Sequence, residues 1–320
     1  MRASGVGGMP GEDVREAIQI VLGEVGDLPY VPELPSRGAG AEMIGRSLAM
    51  LDGLSVDLQP AGWRLTSGES RDQRRSRSLL AQDLDALEEL LPTSTPVLKQ
   101  QVTGPWTLAA AMERPRGDRV LADHGARREL AESLAEGVAQ HISDLRRRAP
   151  HASFVIQIDE PALPAVLAGA IPTASGFGKH RRVYDSDADR HLRMLTEAIA
   201  RSGAASVVHC CAARVPVDLL AGAGFGAISF DADLARPDER WAAAFEAGVD
   251  LWLGAVPTSG DVPSSADVRH RVDRWFADLG FDDAAYGERT VITPSCGLGS
   301  ATPDGARAAL TRAQQAAASV

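Results

Sequence analysis

Short apolar, β-branched runs alternate along the chain with longer stretches whose apolar positions recur every three or four residues. Several of the runs, such as "SFVIQI", "ASVVH" and "RTVIT", lack a polar–apolar alternation. That is the pattern of strands covered on both faces, as in a parallel sheet. Candidate strands fall at 3–8, 29–33, 96–102, 153–159, 205–211, 226–231, 250–256 and 289–294, with a weaker one at 55–59. Helical periodicity marks 76–91, 127–148 and 187–203. In 127–148 the residues Leu130, Leu134, Val138, Ile142 and Leu145 form one stripe. An Ala-, Arg- and Gln-rich segment at 303–319 reads as a closing helix.

Strand–helix alternation repeated about eight times predicts an α/β fold, a single (β/α)8 TIM barrel, with 1–320 as one catalytic domain. An open doubly wound sheet is the competing topology. Nine strand candidates compete for eight places, and "VDLQPAGWRL" reads better as a hairpin over the barrel mouth than as a stave. The loop "PTASGFGKHRR" (172–182) is a candidate lid. Its "GFGKH" lacks the spacing of a phosphate loop.

Charge narrows the partners. A formal charge of −10 over 320 residues opposes nucleic acid as a main partner, because phosphate binding needs a basic face. No apolar run approaches the ~20 residues of a membrane span, and "MRASGVGGMPGED" has no continuous apolar core of a secretory signal. The expectation is a soluble, cytoplasmic protein. Its three cysteines make no disulfide framework.

Candidate chemistry collects where barrel strands end. The run "VVHCCAARV" ends one strand. Residues i and i+2 of a strand share a face, so His209 and Cys211 look into one pocket while Cys210 turns away. Asp231 closes the next strand, and Cys296 follows the last in the rigid turn "PSCGLG". A histidine, two thiols and a carboxylate at neighbouring strand ends suit tetrahedral Zn2+, with His209, Cys211, Asp231 and Cys296 as ligands. Cys210 reads as a small buried hydrophobe. In "FVIQIDEPALP" adjacent carboxylates alternate in direction, so one faces the mouth; Asp159 is the anchor for a substrate ammonium group and Glu33 a second. The Gly-rich turn around Gly7 and Gly8 offers backbone N–H groups to a carboxylate. Trp106 serves equally as core or as ligand wall.

These segments, in this order, resemble the catalytic C-terminal barrel of cobalamin-independent methionine synthase, in the wider group that contains uroporphyrinogen decarboxylase. The resemblance runs from "GVGGMPG" through "PELPSRG", "VTGPWTL", "IQIDEPAL", "HCCA" and "SFDADL" to "PSCGLG". It implies a zinc-dependent methyltransferase that methylates a thiol, most simply homocysteine to methionine. The family's zinc ligands map onto His209, Cys211 and Cys296, with Asp231 where the family has glutamate. The acids that hold the amino group of homocysteine map onto Glu33 and Asp159. The family's Gly-Ser turn, which holds the substrate carboxylate, appears as Gly7-Gly8, and Pro32 replaces a family histidine. The full-length enzymes have a second, N-terminal barrel that helps bind the folate donor, and this chain has length for one barrel. The donor is therefore open between methyl-folate and a methylcobalamin-bearing protein, and a thiol other than homocysteine is an alternative acceptor. The non-enzymatic alternative is a zinc- and homocysteine-binding protein.

Overall fold

A computed structural model describes residues 1–319. Nine strands are present among them: β1 (Arg2–Ala3), β2 (Ser55–Gln59), β3 (Gly62–Thr66), β4 (Val97–Thr103), β5 (Ser153–Asp159), β6 (Ala205–Cys210), β7 (Ala227–Asp231), β8 (Asp250–Val256) and β9 (Thr290–Pro294). Seven of these form one parallel sheet in the order β1-β9-β8-β7-β6-β5-β4. Consecutive strands lie side by side, each connected through helix, as right-handed β–α–β connections require. The helices Arg71–Leu90, His124–Arg148, Asp185–Arg201 and Pro303–Ala318 cover its outer face with the stripes their periodicity predicts.

The weak candidate 55–59 is β2, and it pairs antiparallel with β3 in a separate two-stranded sheet. The hairpin packs against Glu113 and the start of the Arg71–Leu90 helix, away from the cavity described below. The stretch 29–33 is not a regular strand, but its backbone is bonded on both sides. Lys99 N–H donates to Pro29 O and Val31 N–H to Lys99 O on one side. Glu33 N–H donates to Gly7 O and Met9 N–H to Glu33 O on the other. Its two prolines, Pro29 and Pro32, remove donors that a longer ladder would need.

A small apolar cluster joins Leu28, Val207, Ala227, Trp252 and Val291, with Val97 and Val155 packed against it. It takes one residue from each of β4 to β9, so these side chains share one face of the sheet. Counting in twos from them, the same face carries Lys99 and Gln101, Gln157 and Asp159, His209 and Cys211, and Ser229 and Asp231. Polar residues thus stack above an apolar floor toward the strand ends.

Burial leaves a pH signature in the outer layer. His141 lies on the inner side of the His124–Arg148 helix, 8% exposed, with Nε2 unpartnered. Burial first, then the charge of Arg46, pull its pKa from 6.5 to about 4. The folded state keeps the ring neutral while the unfolded chain takes up a proton below its ordinary value. Stability is therefore full above pH 6.5 and lost as pH falls toward 4, by about 3 kcal/mol from this residue. Urea unfolding at pH 7 and pH 4.5 is expected to show this loss, and His141→Leu to reduce it. An identical pH dependence in the variant refutes the assignment.

Candidate metal centre

β6 ends in Val208-His209-Cys210, with Cys211 just beyond it, and the pleat sorts these side chains. Cys210 is fully buried in the outer core, as expected of a small hydrophobe. His209 turns to the opposite face, 2% exposed. Its Nδ1 is 2.9 Å from Ser229 Oγ on β7, which fixes the ring, and its Nε2 is buried with no partner. A buried, unpartnered imidazole nitrogen is costly unless something binds it.

The turn after β9 brings Cys296 to that nitrogen. Sγ of Cys211 and Sγ of Cys296 are 3.5 Å apart, both as free thiols. One donor atom each from His209, Cys211 and Cys296 lies within 4.8 Å of the others. In a tetrahedral zinc site with Zn–S near 2.3 Å the two sulfurs stand about 3.8 Å apart, so the donor set and its spacing fit that ion. The thiols also share a proton unequally. The Cys211 thiol, then the nearby His209 ring, draw Cys296 down to about 4, while Cys296 pushes Cys211 up.

Asp231 is not gathered with these three. It is half-buried, and its Oδ1 accepts the Asp233 N–H at 2.8 Å in the turn after β7. Burial raises its pKa, and Arg271 opposes that rise.

These three residues line a cavity of roughly 520 Å³ together with Gly7, Gly8, Glu33 and Asp159: His209, Cys211 and Cys296 share it with both glycines and both acids. The glycines are there for space. A Cβ on Gly7 would meet the Gln101 side chain at 2.8 Å, and one on Gly8 the backbone of Gly299 at 3.3 Å. Gly8 O also accepts the Leu298 N–H, tying the first turn to the Cys296 turn.

Glu33 and Asp159 face this cavity 5% and 4% exposed. Burial raises both carboxyls. Arg46 and Lys99 oppose the rise at Glu33, and the charge of Glu33 adds to it at Asp159. One row below sits Lys99, fully buried. Its Nζ donates to Gln157 Oε1 at 2.8 Å and to Val6 O at 3.0 Å, and Gln157 Nε2 donates to Asp159 Oδ1 at 2.7 Å. Burial pulls Lys99 down to about 7 against the attraction of Asp159 and Glu33. Two buried acids thus stand over one buried cation, and a further cation or a proton in the cavity would offset their charge.

Glu160 does different work from Asp159. It points away from the cavity and accepts Trp106 N–H, Thr107 N–H and Thr107 Oγ1–H at 2.7 to 2.9 Å, holding the start of the Pro105–Ala111 helix. Trp106 is core: it is fully buried, stacks on His191 with ring centroids 4.9 Å apart, and donates Nε1–H to Ala188 O. The 172–182 loop does not line this cavity. Sequence reading passed over Lys99, Gln101, Gln157 and Ser229. Lys99 and Gln101, alternate polar residues at inward parity in the otherwise apolar "PVLKQQVT", are the signal that marks the first two, and Gln157 in "SFVIQID" has the same parity signal.

A family model described as "Cobalamin-independent synthase, Catalytic domain" matches residues 81–319. Among solved structures, the chain is similar to a B12-independent methionine synthase from Shewanella sp. W3-18-1 in complex with selenomethionine. The TM-score is 0.62 at 13% identity, covering 98% of this chain and 96% of that one. A weaker likeness, with a TM-score of 0.39 and 13% identity, links it to 2,3-dimethylmalate lyase of the PEP mutase/isocitrate lyase superfamily; it covers 94% of this chain and 78% of that one. At 13% identity the first of these likenesses shows the fold alone. No curated protein matches the chain.

Proposed function

The chain belongs to the cobalamin-independent methionine synthase catalytic-domain family and is a methyltransferase, and from this premise we propose that it methylates the thiol of homocysteine at a zinc site held by His209, Cys211 and Cys296. The observation that carries the reading is the meeting, in one cavity, of three soft or borderline donors within 4.8 Å and two buried carboxylates. We read the fold as a single (β/α)8 barrel spanning the chain, with 29–33 as the eighth stave. Its backbone bonds to both Gly7 and Lys99 and the one-per-strand apolar floor support that closure.

Bound zinc would lower the pKa of a substrate thiol and keep it as a nucleophilic thiolate at neutral pH. Three protein ligands leave a position for substrate, as in catalytic zinc sites. The rest of the work belongs to the chain. Ser229 orients the His209 ring through Nδ1 and so aims Nε2 at the sulfurs. Asp159 and Glu33 receive the substrate ammonium, and Lys99, through Gln157, holds the Asp159 carboxylate in place. Gly7 and Gly8 line the cavity, and their backbone would meet the substrate carboxylate at the first turn. Fixing both ends of the amino acid sets its sulfur beside the ligand cluster, which is a proximity effect on rate.

The methyl donor is methyl-folate or a methylcobalamin-bearing protein. Zinc-loaded protein, incubated with homocysteine and each donor in turn, is expected to form methionine with one of them. Product from a different thiol alone, or from no thiol with either donor, overturns the homocysteine assignment.

A further inference from the structure

The methyl-transfer site leaves a second, strongly basic cavity unexplained. It has a volume of about 730 Å³ and shares no lining residue with the catalytic cavity. Two segments build it. One is the stretch after β4, from Leu121 to Arg127 at the start of the His124–Arg148 helix. The other is the stretch after β5, from Lys179 to Asp187. Both follow C-terminal ends of strands, so this cavity and the catalytic one open from the same end of the sheet.

Its charge is unlike the rest of the surface. The chain has ten more acids than bases, and most arginines pair with acids within 4 Å. Here Arg127, Lys179, Arg181 and Arg182 line one cavity, and among the described residues none of the four has an acidic partner within that distance. Asp187 is the acid in the lining; it stands 3.8 Å from Arg190 on its own helix and, with Asp123, also attracts Arg127 at longer range. His180 is turned to Asp118 at 3.1 Å, and Asp123 lies 3.5 Å from Arg114.

Arg127 is the telling residue. It is 6% exposed, yet its guanidinium makes no hydrogen bond among the described residues, and its Nε is wholly buried and unpartnered. Its polar-plane contact is the Trp106 ring, 5.8 Å away. An arginine desolvated to this degree normally has its donors satisfied, since leaving them unmade is costly. The cavity is large enough for an organic ligand, and four cations from two segments exceed what one small ion can touch.

We infer that this cavity binds a ligand through a multiply charged oxyanion group, carboxylate or phosphate, with Arg127 as the buried anchor and Lys179, Arg181 and Arg182 as the outer contacts. Arg127 offers the planar donor fork that suits carboxylate and phosphate oxygens. The loop that carries the other three is anchored at its base by the Pro172–Lys179 bridge and by His180 N–H donating to Ile171 O.

The test uses two probes on the full chain, pyrophosphate and the peptide tri-γ-glutamate, followed by calorimetry at low and moderate salt. At least one is expected to bind saturably, and more weakly as salt rises. The tighter probe names the source, phosphate or oligocarboxylate. Lys179→Gln/Arg181→Gln/Arg182→Gln is expected to weaken binding at least about tenfold while zinc content stays unchanged, since each charged hydrogen bond accounts for a factor of that order. Arg127→Gln should do the same. The outer triple variant changes exposed side chains and keeps the test open if the Arg127 variant does not fold. Binding of neither probe, or equal binding by the triple variant, overturns the inference.

Discussion

Cys296→Ser is expected to strip the protein of zinc. Purified in reducing buffer and dialysed against a weak chelator, the unaltered chain should retain about one zinc and the variant less than a tenth of that. The magnitude follows from comparison. Altering a group that only orients a metal ligand commonly weakens metal binding 10–100-fold. Ser229→Ala falls in this class, because Ser229 touches His209 Nδ1 and no sulfur. Removing a thiolate from a three-donor set goes further, since a serine hydroxyl does not ionise at neutral pH and is a poorer donor to zinc. Cys211→Ser should match Cys296→Ser, because the two sulfurs are neighbours at 3.5 Å. Asp231→Asn separates the ligand sets: occupancy near that of the unaltered chain supports three protein ligands, and a loss like that of the cysteine variants restores Asp231 as a fourth. Full zinc in Cys296→Ser would end the metal assignment as drawn.

The fold was legible where period and parity speak together. The strands after residue 96 fall within a residue or two of their expected bounds, because a buried parallel strand is an uninterrupted apolar run closed by a turn. The early part was harder. β1 is ladder-bonded only at Arg2–Ala3, and 29–33 is bonded without regular strand geometry, because glycines and prolines there trade ladder hydrogen bonds for close approach around the cavity. The same parity that put His209 and Cys211 on one face and Cys210 on the other also separates Asp159 from Glu160. Lys99 escaped notice because a single cation in an apolar strand has no motif around it. Composition held a clue: the chain has just two lysines among 33 basic residues. Lys99 lies beneath the acid pair, and Lys179 lines the basic cavity. Asp231 was placed at the metal by its strand-end position and by falling where the resembled family has a glutamate ligand. The turn after β7 instead engages its carboxylate with the Asp233 N–H, a local interaction that strand counting does not show.

Asp159→Asn is expected to lower homocysteine affinity about 100-fold in zinc-loaded protein. Glu33 and Asp159 are both nearly enclosed, and the charge of Glu33 adds to the cost of ionising Asp159. Lys99 offsets part of that cost from below, through Gln157. A substrate ammonium entering from above offsets the rest, so its attraction is strong because the site is dry and short of positive charge. Asparagine keeps the shape of the side chain but removes the charge and turns one acceptor into a donor facing the ammonium. A buried charged hydrogen bond and the ion pair behind it account for about 3 kcal/mol, or roughly two factors of ten. The decisive control is 4-mercaptobutyrate, which has the thiol and the carboxylate without the amino group. It should bind the unaltered chain poorly, and Asp159→Asn should bind it no worse, so the preference for homocysteine collapses while zinc stays in place. Lys99→Met provides the converse. With the lower cation gone, the acid pair holds a proton at neutral pH, and homocysteine binding should strengthen as pH rises and that proton leaves. If Asp159→Asn retains the full preference for homocysteine, the ammonium is bound elsewhere, and the buried pair is a feature of the sheet's inner face and not of the substrate site.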